Sequence, residues 1–357
     1  MRYAVIMAGG AGQRLWPLSR TRSPKQLLPL VNGKNLLELA VERLDGLFDK
    51  EHIFVITGAR YVEQVAAALP LIPSGNIIGE PQGRDTANAI ALAVQILAGR
   101  DEDATMAVFT ADHVILPVDR FARTVQIACE AAERNPDALL TFGVHPTWPH
   151  TGLGYIHYGQ KIDEGVYEVQ AFKEKPDHQT ARRYIDSGQY SWNSGMFIWK
   201  LGAIRRQLTK HLPDSMTKLA AVAEAVRTDR DISGLLKDVY ATLERISIDF
   251  AVMEKAPNVL MVELPCDWHD VGNFATLAEV LPSDSDGSVQ LGPRVISLDS
   301  RGNVIVAPEQ HLIATLGVSD LVIVHTPDAT LVCSKAEAAR LKEVVAQVKA
   351  MNLDRHL

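Results

Sequence analysis

Cysteine is nearly missing from this chain: Cys129, Cys266 and Cys333 are the three found in 357 residues, an odd set whose spacing does not resemble a metal site. A disulfide-stapled secreted fold is thereby excluded, and reduced core thiols in the cytoplasm are expected. Long hydrophobic runs are missing as well. No window approaches the roughly 20 apolar residues that span a bilayer, and no charged region followed by a long apolar stretch opens the chain. The sequence thus predicts a protein that is neither exported nor anchored and has no membrane partner. Positive charge is also in short supply, since 36 Lys and Arg against 43 Asp and Glu leave a formal net charge of -7. That balance argues against bulk nucleic-acid binding. What remains, 47% hydrophobic and 22% charged residues over a length of roughly two domains, can bury a large core.

Against this acidic background, cations gather in one place. An apolar run ending at Met7 enters Ala8-Gly9-Gly10-Ala11-Gly12-Gln13-Arg14, followed by Arg20, Arg22 and Ser23-Pro24-Lys25. Successive glycines leave backbone N–H groups open to an anion, and the cations supply fixed charge for a polyphosphate. Pro24 stiffens the approach to Lys25. Two better-known glycine loops do not fit. A Walker A loop would need Gly-Lys-Ser/Thr where Gly12-Gln13-Arg14 stands, and a dinucleotide fingerprint would need a small residue in place of Leu15.

The stretch from Gly9 through Leu15-Trp16-Pro17-Leu18-Ser19-Arg20 to Pro24-Lys25-Gln26 resembles the signature of the sugar-phosphate nucleotidyltransferases, in particular the bacterial mannose-1-phosphate guanylyltransferases. Similar segments recur in order: Glu80-Pro81 to Ala87, Ala111-Asp112-His113, Pro146 to Ile156, Phe172 to Pro176, Trp192 to Phe197, Ser247-Ile248-Asp249, and Trp268 to Gly272. Together they cover residues 1 to about 275. Leu153, Asn88 and Phe274 depart from the usual aromatic, proline and tryptophan at those places, which blurs the substrate pocket more than the reaction.

The resemblance implies transfer of GMP from GTP to mannose 1-phosphate, giving GDP-mannose for polysaccharide synthesis. A sugar phosphate oxygen would attack the α-phosphate in line and release pyrophosphate, so positioning and charge neutralisation matter more than a base. Arg14 and Lys25 become the catalytic cations, with Ala8, Gly9, Gly10, Gly12, Glu80, Arg84, Thr86 and Asp112 on the nucleotide. Gly143, Gly154, Glu174, Lys175 and Asn193 are assigned to the sugar phosphate, and Asp112 with Asp270 to Mg²⁺. Glutamate rather than glutamine at position 80 suits the paired N–H donors of guanine. Plainer readings exist for each: a loop salt bridge for Arg14, a helix cap for either aspartate, a solvated turn for Lys173-Glu174-Lys175, an ion pair with Arg84 for Glu80. The alternative activities are uridylyl or thymidylyl transfer to glucose 1-phosphate, or a catalytically silent regulatory subunit that binds sugar nucleotides. Longer relatives carry a cupin-like isomerase domain, so a chain ending at Leu357 is expected to have a single activity.

Periodicity predicts an α/β doubly wound, mostly parallel, Rossmann-like sheet. Tyr3–Met7, Ile53–Thr57, Thr105–Thr110 and Leu139–Val144 suit central strands, while Asn35–Phe48, Tyr61–Leu69, Ala87–Leu97 and Phe121–Arg134 have helical spacing. A catalytic domain over 1–282 is expected, then a polar connector. Short strands at Val295–Leu298, Asn303–Ala307, His311–Leu316, Leu321–His325 and Ala329–Cys333 follow, with a closing helix over Lys335–Met351. The resemblance implies that 288–357 is a small β-helix-like domain, through which a homodimer would form if the chain assembles.

Overall fold

The computed structural model describes every residue except Ala11, Pro293 and Glu309. In chain order the first strands are β1 (Arg2–Ala8), β2 (Ile53–Gly58), β3 (Ile77–Glu80), β4 (Thr105–Thr110), β5 (His113–Leu116) and β6 (Leu139–Val144). They are followed by β7 (Gly154–Asp163), β8 (Val166–Glu174), β9 (Tyr190–Lys200), β10 (Val259–Leu264) and β11 (Asp267–Asp270).

By compactness the chain forms two units that interleave along the sequence. The first gathers Met1–Gly9, Val41–Thr110 and Ile115–Asp267; the second gathers Gly10–Ala40, Ala111–Val114 and Trp268–Leu357. The first unit is built on a nine-stranded sheet in the order β3-β2-β1-β4-β9-β6-β10-β8-β7. β8 and β9 run against the other strands, so the sheet is mostly parallel, as expected. The central strands are apolar on both faces because helices cover them, which is why Val5, Ile6, Val55, Val108 and Leu140 are all buried. The helix Asp85–Arg100 is buried along most of its length, its alanines allowing close packing. β1 and β4 are neighbours, so Gly9 and Ala111 follow from adjacent carboxyl ends, where such sheets present ligand-binding loops.

A capping box opens the helix Leu36–Glu42, with the Glu38 N–H donating to Asn35 Oδ1 and the Asn35 N–H to Glu38 Oε2, both at 2.8 Å. That helix is shorter than the expected Asn35–Phe48; turns take over at Arg43. Further on come β12 (Val289–Leu291), β13 (Val295–Leu298), β14 (Val304–Val306), β15 (Ile313–Leu316), β16 (Leu321–Thr326) and β17 (Ala329–Ser334). β12, β14 and β16 stack in parallel with Val289, Val304 and Val322 in register, and β13 pairs in parallel with β15. These stacked short strands are the coils of a β-helix-like domain. The closing helix is regular only over Leu341–Ala350, Lys335–Arg340 forming 3-10 turns.

Candidate active site

Lys25 is placed by a glycine. Gly12 has φ +63°, and a Cβ there would lie 2.6 Å from Lys25 Cβ, so the loop can close over the lysine stem only without a side chain. Its carbonyl accepts from Ser19 Oγ at 2.5 Å and from the Leu15 N–H at 2.9 Å, which fixes the turn. Lys25 sits on a short 3-10 turn after Pro24 and is buried. Its ammonium lies 2.6 Å from Asp112 Oδ2 and donates to the Val271 carbonyl at 3.2 Å.

Asp112 and Asp270 belong to two chain stretches joined by the Val271 N–H, which donates to the Asp112 carbonyl at 3.2 Å. With His113 they form a group whose ligand atoms all lie within 4.8 Å of one another. The Trp268 indole, a donor only, donates to His113 Nδ1 at 3.1 Å. Because Nδ1 accepts, the ring proton sits on Nε2, which faces Asp112 Oδ1 at 3.8 Å, so neither nitrogen offers a free lone pair to a metal ion. Two carboxylates remain, the oxygen set that suits a hard divalent cation. Burial disfavours charge on Asp112, but the adjacent Lys25 ammonium and the hydrogen bonds to the carboxylate win and hold its carboxyl well below the usual range. Arg14 is exposed, and no hydrogen bond or ion pair holds its side chain among the described residues. A Cβ on Gly272 would lie 3.5 Å from Arg14 Nη1 and 3.7 Å from Asp270 Oδ1, which brings the guanidinium to the Asp270 turn.

In the first unit Glu80 ends β3, only 6% exposed, with Oε1 buried and without a hydrogen-bond partner among the described residues. Burial pushes its carboxyl up to about 7; the Tyr240 hydroxyl pulls the other way, and Asp85 adds slightly to the rise. A Cβ on Gly9 would lie 4.0 Å from Glu80 Oε2, so the carboxyl borders the start of the glycine loop. Arg84 does not pair with Glu80. Its Nε donates to the Tyr240 carbonyl at 2.8 Å and its Nη2 to the Ala241 carbonyl at 2.6 Å.

Glu174 and Asn193 both border Gly154, and Lys175 pairs with Glu174, all in the first unit. Lys175 Nζ donates to Glu174 Oε2 at 2.8 Å, while a Cβ on Gly154 would collide with Glu174 Oε1 and touch Asn193 Cβ at 3.5 Å. Asn193 Nδ2 donates to Asp249 Oδ1 at 2.8 Å. Gly143 faces Asn193 in register on β6, but its missing Cβ is required by Met261 and Ser191, a packing reason. Thr86 accepts the Ile248 N–H on its hydroxyl at 2.9 Å and so anchors that segment. Arg20, grouped by sequence with the phosphate cations, is held by Asp328 through two bonds of 2.7 and 3.0 Å. Ala8 is buried at the end of β1, and Gly10 is exposed at φ +96°. Burial raises the Cys129 thiol to about 12 and that of Cys266 to about 11, so neither is a nucleophile at neutral pH.

A family model described as nucleotidyl transferase matches residues 3–287, and one described as MannoseP isomerase/GMP-like beta-helix domain matches 293–348. A mannose-1-phosphate guanylyltransferase of Salmonella montevideo is 38% identical over 361 residues, 99% of this chain and 75% of that protein. The chain belongs to the mannose-1-phosphate guanylyltransferase family. The Escherichia coli K12 member is 37% identical over 369 residues, again 99% of this chain and 75% of that protein. The crystal structure of a mannose-1-phosphate geranyltransferase from Thermus thermophilus matches with a TM-score of 0.87 at 36% identity, covering 98% of this chain and 99% of that one.

In this member of the family, Lys25, Asp112 and Asp270 are brought together. Asp249 is the residue that sequence reading left without a role. The Ser247-Ile248-Asp249 motif was its one visible signal; nothing in the spacing indicated that the carboxylate would reach Asn193.

Proposed function

We propose that this chain transfers GMP from GTP to mannose 1-phosphate, releasing pyrophosphate and forming GDP-mannose. The observation that carries the reading is the ion-paired Lys25–Asp112 couple beside Asp270, with the Arg14 guanidinium at the same turn, in a chain whose relatives bear that activity's name. Arg14 would hold the β- and γ-phosphates and the departing pyrophosphate, and Lys25 the α-phosphate and the sugar phosphate. Asp112 and Asp270 would hold Mg²⁺, which when bound neutralises phosphate charge and orients the triphosphate. For Lys25 this means exchanging Asp112 for a phosphate oxygen, an exchange of one charge-assisted contact for another. Glu80 would take the guanine edge, and Gly154, Glu174, Lys175 and Asn193 the hexose.

Pyrophosphate release, measured across a matrix of nucleoside triphosphates and hexose 1-phosphates, tests the reading. GTP with mannose 1-phosphate is expected to be fastest; a faster UTP or dTTP reaction with glucose 1-phosphate would replace it. EDTA is expected to remove turnover and Mg²⁺ to restore it. Asp270→Ala and Asp112→Ala are expected to lose metal-restored activity, and either variant with a normal Mg²⁺ titration would be removed from the metal site.

The assembly proposed is a homodimer through the β-helix-like domain. On the β13–β15 pair, Leu298 and Leu316 lie in register and are 58% and 70% exposed, with Ile296 alongside at 49%. Such a row of aliphatic side chains is a self-complementary patch for a two-fold contact. Leu298→Glu with Leu316→Glu is expected to halve the mass measured by light scattering; an unchanged mass would rule out this face.

A further inference from the structure

The hexose cluster contains more acceptors than its protein donors can satisfy. Asn193 is 9% exposed, and its amide is fully oriented: Oδ1 accepts the Gly195 N–H at 3.1 Å and the Thr141 hydroxyl at 3.2 Å, while one Nδ2 hydrogen goes to Asp249. The second Nδ2 hydrogen has no partner among the described residues. Lys175 is engaged by Glu174. Burial, followed by the Glu174 charge, pushes the Asp249 carboxyl up to about 6, against the pull of Asn193 and, more weakly, of Lys175. A pair of mutually repelling carboxylates next to one buried, unspent amide hydrogen suits a polyol, whose hydroxyls both donate and accept.

Asp249 is also held in place. The Ile248 N–H is anchored on Thr86 and the Ala251 N–H donates to the Ser247 carbonyl at 2.9 Å, so Asp249 opens a single π-helical turn over Asp249–Met253. Such turns aim one side chain out of the regular helical track. We propose that Asp249 is a hexose-binding residue that accepts hydrogen bonds from ring hydroxyls alongside Glu174 and orients the Asn193 amide, and so helps decide which hexose 1-phosphate is accepted. This rests on the hexose 1-phosphate reading above.

The test is Asp249→Asn, with Asp249→Ser as a second variant, assayed for kcat and KM with mannose 1-phosphate, glucose 1-phosphate and GTP, and for thermal midpoint. A hydrogen bond to a charged acceptor sets the scale, so KM for mannose 1-phosphate is expected to rise by about 10- to 100-fold. The preference for mannose over glucose 1-phosphate is expected to shrink, with KM for GTP within about twofold of the parent. The thermal midpoint is expected to hold or rise, because the repulsion with Glu174 is removed. An unchanged KM for mannose 1-phosphate in a folded variant would overturn the role of Asp249 alone. Parallel losses in GTP affinity, kcat and thermal midpoint would make it a structural residue and overturn the role equally. No pyrophosphate from the parent enzyme with GTP and any hexose 1-phosphate would overturn the activity and this role together.

Discussion

Arg14→Ala and Lys25→Ala are each expected to slow turnover by on the order of 10²–10³, the usual loss when a transition-state charge contact is removed, yet to differ sharply in stability. Arg14 is exposed and no bond holds its side chain among the described residues, so its removal is expected to leave the thermal midpoint within about a degree or two, as for a neutral surface change. Lys25 is buried against Gly12 and neutralises Asp112 at 2.6 Å. Deleting it strands a carboxylate with restricted access to water, a loss of about 2–4 kcal/mol, toward the lower end because the Asp112 side chain retains 27% exposure. Lys25→Met with Asp112→Asn is expected to recover much of that stability while remaining inactive. The sign with pH follows from the depressed Asp112 carboxyl. Its contribution is complete above the unfolded value of about 4 and fades as pH falls through the lower folded value, so the parent and Lys25→Ala melting curves are expected to converge in acid. Equal rates in parent and both variants would discard the phosphate roles; equal midpoints for the two single variants would discard the structural role of Lys25.

The parts of this molecule legible in the sequence are those where local pattern and tertiary context agree. β1, β2, β4 and β6 are short, apolar and flanked by turns, and their expected limits are recovered to within a residue. β7 and β8 are not legible in that way. They carry Gln160-Lys161-Ile162-Asp163 and Glu168-Val169-Gln170 at one edge of the sheet, where partial exposure blurs the alternation. β9 is nearly all buried, including Ser191, Asn193 and Ser194, because β4 and β6 flank it; no period of two survives. The cations show the same division. Glycine spacing and charge single out Arg14, Lys25 and Arg20 alike, and charge alone could not show that Arg20 is held by Asp328, far along the chain. Likewise, Asp249 needed the crossing of β9 with a distant π-turn to acquire its neighbour Asn193.

Glu80→Gln is expected to depress kcat/KM for GTP by about 10²–10⁴ while leaving affinity for mannose 1-phosphate close to normal, with UTP and dTTP improved relative to GTP. The range is that of a lost pair of hydrogen bonds to a charged group facing the N1–H and N2–H donors of guanine. The structure gives two polar side chains of the same segment other partners. Arg84 is committed to the Tyr240 and Ala241 carbonyls, and Asn88 is fully buried with its amide donating to the Glu244 carbonyl at 2.6 Å. It also adds a proton. Because burial lifts the Glu80 carboxyl to about 7, free enzyme at neutral pH holds it partly protonated, whereas two guanine donors require it ionised. Binding of GTP through Glu80 is therefore expected to release a proton. Affinity for GTP is expected to strengthen as pH rises through about 7 and to level off above it, with a limiting slope of tenfold per pH unit below; Glu80→Gln is expected to show no such slope. Stability moves the other way. A carboxyl raised on folding favours the folded state in acid, and the advantage is lost between the unfolded value of about 4.3 and the folded value, so the ligand-free parent is expected to be less stable than Glu80→Gln at pH 8, by on the order of 2–3 kcal/mol. Calorimetric titration of GTP at several pH values, with thermal scans of both proteins, checks all three results. An unchanged GTP-to-UTP preference with a flat pH profile in the parent would move guanine selection to the backbone.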